Sequence, residues 1–187
     1  MIEQEMIAMA LDCGATKAAL VDGSGVVLSE TFRDICKGNG CGNYGKCYMC
    51  PPDVGEIGPL MDEVRKYPRG LLYQTVREIE DSFDIEGMFE AGKLHMQCSL
   101  KIQEAAKDAL APGFLHLSSG GCRICDTCAK RDNLPCRYPD KALPSLESYG
   151  VDVYRTTEPT PLKYINGQNT VTFFGMVLFT DGVEQAR

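Results

Sequence analysis

The sequence of 187 residues lacks any apolar run long enough to cross a membrane. Its longest apolar stretch, residues 173–179, has the length of a strand, whereas a transmembrane helix needs about 20 such residues. The first residues are acidic, with Glu3 and Glu5, where a secretory signal peptide would be basic. We therefore expect a cytoplasmic protein without a membrane partner.

A surplus of positive charge is missing as well. The chain has 19 Lys and Arg residues against 26 Asp and Glu residues, which gives a formal net charge of −7. Proteins that bind nucleic acid or anionic lipid usually concentrate positive charge on the contact surface. The sequence therefore predicts no nucleic-acid partner.

The common short motifs of enzyme active sites are also absent. The glycines do not form G-x-G-x-x-G after a strand or G-x-x-x-x-G-K-[ST], and there is no H-E-x-x-H or G-x-S-x-G. These motifs indicate nucleotide-binding loops, zinc peptidases and serine hydrolases. No catalytic residue is assigned, and the sequence leaves open whether the protein is an enzyme.

What the chain does have is ten cysteines. Disulfides are rare in the reducing cytoplasm, so metal binding or redox chemistry is the better expectation. Four of them, the second cysteine set, have the spacing C-x2-C-x2-C-x7-C: Cys122, Cys125, Cys128 and Cys136. Bacterial ferredoxins bind 4Fe–4S clusters with a similar triple, but with three residues before a fourth cysteine that proline follows. Here the last gap is longer, and Arg137 follows the fourth cysteine.

The close spacing of the triple favours a cluster over a single metal ion. A cubane cluster has four iron corners, and a short loop can direct one thiolate to each of three corners. One zinc ion needs four thiolates at about 2.3 Å from the same point, usually supplied by two separate C-x2-C pairs. The second set therefore predicts a 4Fe–4S cluster, with a zinc ion as the alternative. Buried or disulfide-bonded cysteines are the least favoured interpretation.

Another group of cysteines lies in a segment that predicts no regular element. Residues 36–58 are rich in glycine and proline, and they contain the first cysteine set: Cys36, Cys41, Cys47 and Cys50. Glycine allows the backbone to approach a metal closely. This set could hold a second 4Fe–4S cluster, a zinc ion, or a cluster bound by three of its cysteines.

The remaining histidines and cysteines are weaker candidates for a metal site. His95 and Cys98 are three residues apart on a predicted helix and therefore share a face. They could supply a ligand, although a core cysteine beside a half-buried histidine is the more common arrangement. His116 lies in a predicted strand before the second set, where a core or supporting role is expected. Cys13 is expected to be a small buried residue.

The order of the elements predicts an α/β fold, with a layered sheet, helices and two cysteine-rich metal-binding loops. We expect one domain over residues 1–187, with these loops at about 36–58 and 120–141. Strands 18–21 and 26–28 are expected to form a hairpin, and Asp84 to cap the longest helix. Apolar periodicity predicts helices at 2–13, 59–67, 85–110 and 144–149, and strands at 18–21, 26–28, 70–76, 114–117, 151–154 and 170–179.

Several stretches together resemble a known family. They are residues 41–46, 50–52, 121–128, 135–142 and 144–147. Over roughly residues 5–155, the chain resembles a family of small prokaryotic proteins with a domain of unknown function, described only as predicted metal-binding. The resemblance implies a cysteine-bound metal centre, for which iron–sulfur chemistry is suited, and no established reaction. The family pattern often lacks a cysteine at the position of Cys47, which leaves a first site with three cysteines as an alternative.

These patterns lead to one main hypothesis. The sequence predicts a cytoplasmic iron–sulfur protein with two 4Fe–4S clusters, one in each cysteine set. Such a protein would transfer electrons to a redox partner protein or act as a redox accessory in anaerobic metabolism. Two alternatives stay open, a zinc-stabilised structural or interaction module, and an enzyme that uses a cluster with an open iron.

Overall fold

A computed structural model describes residues 3–110 and 113–180, where helices flank a four-stranded sheet. The helices are α1 (Glu3–Asp12), α2 (Thr31–Lys37), α3 (Ile57–Arg65), α4 (Ile85–Ala109) and α5 (Val153–Thr157). The strands are β1 (Lys17–Asp22), β2 (Arg69–Glu78), β3 (Phe114–Leu117) and β4 (Thr170–Phe179). This mixture of helices and sheet confirms the predicted α/β class.

The sheet is antiparallel throughout, with the strand order β1-β2-β4-β3. β2 and β4 pair over their full length, from Arg69 opposite Phe179 to Glu78 opposite Thr170. β3 pairs only with the last four residues of β4. Because β3 is the edge strand in this order, the chain that follows β3 leaves from one edge of the sheet.

Both faces of the sheet are covered by apolar side chains. Successive side chains of a strand point to opposite faces, and β2 shows the result. Leu71 and Tyr73 pack in a cluster with α1 and α4, whereas Leu72 packs in a second cluster with residues of α3 and α5. The central strand is consequently buried without alternation from Gly70 to Thr75.

α4 begins where the sequence predicts. The Asp84 carboxylate accepts a hydrogen bond of 2.8 Å from the Gly87 backbone N–H, which confirms the predicted N-cap. Cys98, Ile102 and Ala106 on this helix are buried against the sheet. Within the described ranges, neither this helix of 25 residues nor any other is long and apolar enough to cross a membrane.

Three local predictions need correction. The hairpin of 18–21 with 26–28 is wrong, because Gly23–Gly25 form a 3₁₀ turn and Leu28 pairs with Val151 instead. The strand at 151–154 is wrong, because the Asp152 carboxylate accepts from the Arg155 N–H at 3.0 Å and starts α5. The helix at 144–149 is reduced to a 3₁₀ turn at residues 147–149.

Candidate metal centre

The second cysteine set lies on a loop whose two ends meet beside the sheet. The Ser118 N–H, just after β3, donates to the Pro144 carbonyl at 2.8 Å, and the Leu146 N–H donates to the Ser118 carbonyl at 2.9 Å. Residues 119–143 therefore leave the edge of the sheet and return to the same place. All four cysteines of the set lie on this closed loop.

The first cysteine set follows α2 rather than a strand. Cys36 belongs to the last turn of this helix and residues 57–58 belong to α3, so the segment 36–58 is irregular only between the two helices. Gly42 and Gly45 then have φ angles of 74° and 69°, a conformation that favours glycine. The Cys50 N–H donates to the Cys47 carbonyl at 3.0 Å, so these two cysteines share one tight turn.

The two cysteine loops contact each other directly. The Tyr48 hydroxyl donates to the Leu134 carbonyl at 2.8 Å, and the Lys130 ammonium pairs with the Asp53 carboxylate at 2.6 Å. Gly121 lies so close to Asn43 that an added Cβ would be 2.8 Å from the Asn43 side-chain nitrogen. The two predicted sites thus form one continuous region, which no local sequence pattern indicates.

The second set surrounds a pocket of about 20 Å³, named here the small pocket. Its four cysteines are joined in the lining by Cys47 from the first loop. Cys47 is only 2% exposed. The structure therefore brings five thiols together at this pocket, one more than the sequence pattern predicts.

The first set lines a much larger space of about 740 Å³, named here the large cavity. Cys36, Cys41 and Cys50 line it, and Cys122 and Cys125 of the second loop do so as well. Cys122 and Cys125 therefore border both spaces. The two candidate centres are neighbours with a common wall.

Cys47 has the most distinctive electrostatic setting of these thiols. A hydrogen bond with the Cys50 thiol lowers the pKa of Cys47, and contacts with the Cys122 N–H and the Cys128 thiol act in the same direction. The same bond raises the pKa of Cys50, because that thiol keeps the shared proton. Burial raises the pKa of Cys36 and Cys122. The Cys47 sulfur is therefore favoured as a thiolate at the boundary between the two sites.

The chemistry of these donors is that of soft-metal sites. Thiolates select zinc and iron–sulfur clusters over hard cations such as magnesium and calcium. Within residues 3–110 and 113–180, no three His, Cys, Asp or Glu side chains are grouped closely enough to hold a single metal ion. The thiols are instead distributed around the two spaces. The assignment of each cysteine as a ligand stays a prediction.

The two histidines lie in the core, and neither lines the small pocket or the large cavity. His95 Nε2 donates to the Phe174 carbonyl at 3.2 Å, and its Nδ1 is 2.9 Å from the Thr75 hydroxyl. His116 Nε2 is 2.8 Å from the Tyr73 hydroxyl. Burial lowers the pKa of His95 to about 4 and that of His116 to about 3. Both rings are therefore neutral parts of a buried polar network.

The other two cysteines lie apart from the loops. Cys98 is buried in the cluster between α4 and the sheet, and Cys13 packs against the same cluster. Burial raises the pKa of Cys98 to about 12, which keeps this thiol protonated and unreactive. The shared face of His95 and Cys98 is a core face.

Sequence reasoning overlooked one residue of the large cavity and underrated another. Glu147 lines the cavity, and burial raises the pKa of its carboxyl, while the Ser145 side chain acts in the opposite direction. Arg123 reads in the sequence only as one of several basic residues near the second set, yet its side chain also lines the cavity. Glu147 has no local signal, because it reaches the site only through the fold.

The part of the chain that matches a known protein family includes both cysteine sets. No curated protein and no solved structure matches the chain. A family model described as predicted metal-binding protein (DUF2284) matches residues 19–179. That range contains both cysteine sets and confirms the resemblance seen in the sequence. The chain belongs to this family of predicted metal-binding proteins.

Proposed function

We propose that the protein is a cytoplasmic iron–sulfur protein that holds two 4Fe–4S clusters and passes single electrons to a redox partner protein, in anaerobic metabolism. The observation that carries the proposal is the common wall, since Cys122 and Cys125 border both spaces. Bound clusters would supply one-electron chemistry there. Two neighbouring centres then provide a short path through the protein.

The distribution of the thiols supports clusters. A cubane takes one thiolate at each iron corner, so its ligands are spread apart, whereas zinc needs four sulfurs around one point. The absence of any tight three-ligand group within the described residues fits the first arrangement. The large cavity has ample room for a cluster beside Cys36, Cys41 and Cys50.

Basic side chains around the loops support the same proposal. A cluster held by thiolates is anionic, and nearby cations and N–H groups stabilise it. The Arg137 guanidinium donates to the Thr127 carbonyl at 2.9 Å, and Lys130 lies 5.3 Å from the centre of the Tyr48 ring. The Arg137 contact holds positive charge beside the second set, whereas the charge of Lys130 is paired with Asp53.

The exposed position of Cys41 in the first set supports an electron partner. Cys41 is exposed, while Cys47 and Cys50 are buried. A partner protein that docks over Cys41 would therefore approach the first centre closely, while the cysteines of the second set are half-buried. We propose this face as the exit for electrons.

Zinc is the second candidate, and the small pocket is the observation that favours it. Its 20 Å³ leaves room for about one water-sized sphere. A single ion fits such a space, whereas a cubane requires the loop 119–143 to move outward. In this case the second set would be a closed site that stabilises the fold.

Metal analysis after anaerobic purification tests the proposal. We expect a brown protein with about eight irons and about eight sulfides per chain. Cys125→Ser should lower the iron content, whereas Cys98→Ser, a buried cysteine outside both sites, should leave it unchanged. A colourless protein with stoichiometric zinc would contradict the iron–sulfur proposal and support the second candidate.

A further inference from the structure

The large cavity has the size of a small-molecule site. Its volume of about 740 Å³ lies within the range of about 300–1,000 Å³ that is usual for ligand pockets. Its walls come from the first cysteine loop, the N-terminal half of α4, residues 120–126 and residues 145–148. The space exceeds what three thiols and a cluster occupy, which leaves room for a second molecule.

Three cysteines of the first set line this cavity, and the fourth lines the small pocket. Cys36, Cys41 and Cys50 are in the cavity lining, whereas Cys47 is in the lining of the small pocket, where its thiol contacts the thiols of Cys50 and Cys128. A centre bound by three thiolates keeps one coordination position free. That position would open into the large cavity, because this is the space that the three cysteines share.

Arg123 is positioned to bind an anion in the same cavity. Its guanidinium lies 5.6 Å from the centre of the Phe173 ring, and its Nη1 donates to the Ser119 carbonyl at 3.1 Å. Gly92 and Gly120 make room for it, since an added Cβ at either position would be 3.0 Å from guanidinium atoms. Among the described residues this is its one hydrogen bond, so further N–H donors remain for a carboxylate or phosphate oxygen.

A carboxyl group, that of Glu147, lines the same cavity as Arg123. Glu147 lines the cavity together with Ser145 and Ser148. An acidic group in a cavity that also contains Arg123 suits a ligand with both an anionic group and a hydrogen-bond donor. Small carboxylates with a hydroxyl or amino group have this composition.

We propose that the large cavity is a substrate site for a small hydroxy- or amino-carboxylate. Arg123 binds its carboxylate, and Glu147 accepts from its hydroxyl or amino group. The ligand lies against the free coordination position of a centre bound by Cys36, Cys41 and Cys50. This inference rests on the proposed iron–sulfur function and makes the protein an enzyme rather than a plain electron carrier.

Cyanide binding tests the free coordination position. The reduced, cluster-loaded protein is treated with ¹³C-labelled cyanide, and its electron paramagnetic resonance is recorded. We expect a changed spectrum with ¹³C coupling in the wild type and an equal change in Cys47→Ser. A wild type that does not respond, together with a Cys47→Ser variant that does, would show that Cys47 completes the first centre and would overturn the proposal.

Citrate, a hydroxycarboxylate, tests the role of Arg123. Calorimetric titration of the loaded protein should show binding, and Arg123→Gln should weaken the affinity at least about tenfold. Arg131→Gln is the matched control, because it removes an exposed arginine of the same loop that lines neither space, and its affinity should stay within about twofold. Arg123→Lys should restore part of the affinity. No citrate binding by the wild type, or equal affinity in Arg123→Gln, would overturn the substrate assignment.

The iron and sulfide content of each sample shows whether the iron–sulfur function or only the substrate site is contradicted. A protein without iron and sulfide contradicts the proposed function and this inference together. A protein with two clusters that responds to neither cyanide nor citrate keeps the proposed electron transfer and loses only the substrate site.

Discussion

Gly175 lies opposite Tyr73 where β4 pairs with β2, and the tyrosine ring occupies the place of its side chain. An added Cβ at Gly175 would be 2.2 Å from the ring carbon Cζ and from the hydroxyl oxygen of Tyr73. The ring has no freedom to move away, because it is fully buried and its hydroxyl is 2.7 Å from the Ser99 hydroxyl and 2.8 Å from His116. Only glycine fits at this position.

Gly175→Ala should therefore lower the free energy of unfolding by about 3 kcal/mol, a typical cost of overpacking a core. Chemical denaturation measures the effect. Gly58→Ala is the matched control, since Gly58 lies in α3 with no atom near its added Cβ. That variant should be unchanged or up to about 1 kcal/mol more stable. Equal effects of the two substitutions would show that the Tyr73 ring can shift.

His95 and His116 should stay neutral well below the usual histidine pKa. Burial lowers the pKa of His95 to about 4 and of His116 to about 3, whereas an unfolded histidine titrates near 6.5. Their NMR ring signals should therefore not move between pH 8 and pH 5. His116→Gln identifies the remaining signal, because the chain has two histidines. A midpoint near 6.5 for either ring would contradict the burial of that ring.

The same two rings make the fold less stable in mild acid. Between about pH 6.5 and the lower native pKa values, the unfolded chain binds protons that the folded chain does not. Above about pH 6.5 the two rings do not lower the free energy of unfolding. As the pH falls below this value, each ring lowers the free energy of unfolding by about 1.4 kcal/mol per pH unit. In His116→Gln, which lacks one of the rings, the free energy of unfolding should fall less steeply as the pH decreases below about 6.5. Chemical denaturation at several pH values measures the difference.

At the scale of elements, α2 is the helix that positions the first cysteine set. Arg33 on this helix is 6% exposed, and its guanidinium donates to the Gly55 carbonyl at 2.7 Å and to the Ser148 carbonyl at 3.2 Å. These bonds connect α2 both to the end of the first cysteine loop and to the wall of the large cavity. Cys36, three residues further along α2, depends on this anchor.

Arg33→Met should remove both bonds and leave two carbonyl groups without their donor. We expect the free energy of unfolding to fall by about 2 kcal/mol and the iron content to fall with it, because Cys36 loses its fixed position. Lys37→Met, on the same helix but exposed in its pair with Asp34, should change stability by less than about 0.5 kcal/mol. Similar results for the two variants would mean that α2 is held by other contacts.

Elements that depend on local interactions could be predicted from the sequence. The start of α4 is an example, since Asp84 and the Gly87 N–H that it caps are three residues apart. α5 could not be predicted in this way, because Val151, Val153 and Tyr154 have strand-forming side chains while the Asp152 cap favours a helix. Tertiary packing decides between strand and helix. Leu28, from a distant part of the chain, pairs with Val151 in a single β-bridge.

At the scale of the whole molecule, the cysteine sets were predictable and their arrangement was not. Spacing alone indicates that Cys122, Cys125 and Cys128 act together. The position of Cys47 beside Cys128, and of Glu147 in the same cavity as Cys36, depends on contacts between segments about 80 to 110 residues apart. Sequence periodicity carries no information on such distances.

Removal of the metal should loosen the loops and spare the sheet. Among the described residues, the two apolar clusters that cover the sheet contain no member of 38–56 or 119–143. After anaerobic chelation, hydrogen exchange in these loops should accelerate at least tenfold, while the amides of β2 and β4 stay protected. Equal loss of protection in β2 and β4 would show that the metal sites and the sheet unfold as one unit.

The wall that the small pocket and the large cavity share also limits which insertions and deletions the sequence can tolerate. Residues 122–125 border both spaces, so an insertion or deletion there would reshape two centres in one event. Residues 130–135 line neither space and can vary in length with less effect on either. A change in either cysteine loop therefore alters the surroundings of both candidate centres, and neither could be transplanted to another protein by moving its own cysteine loop alone.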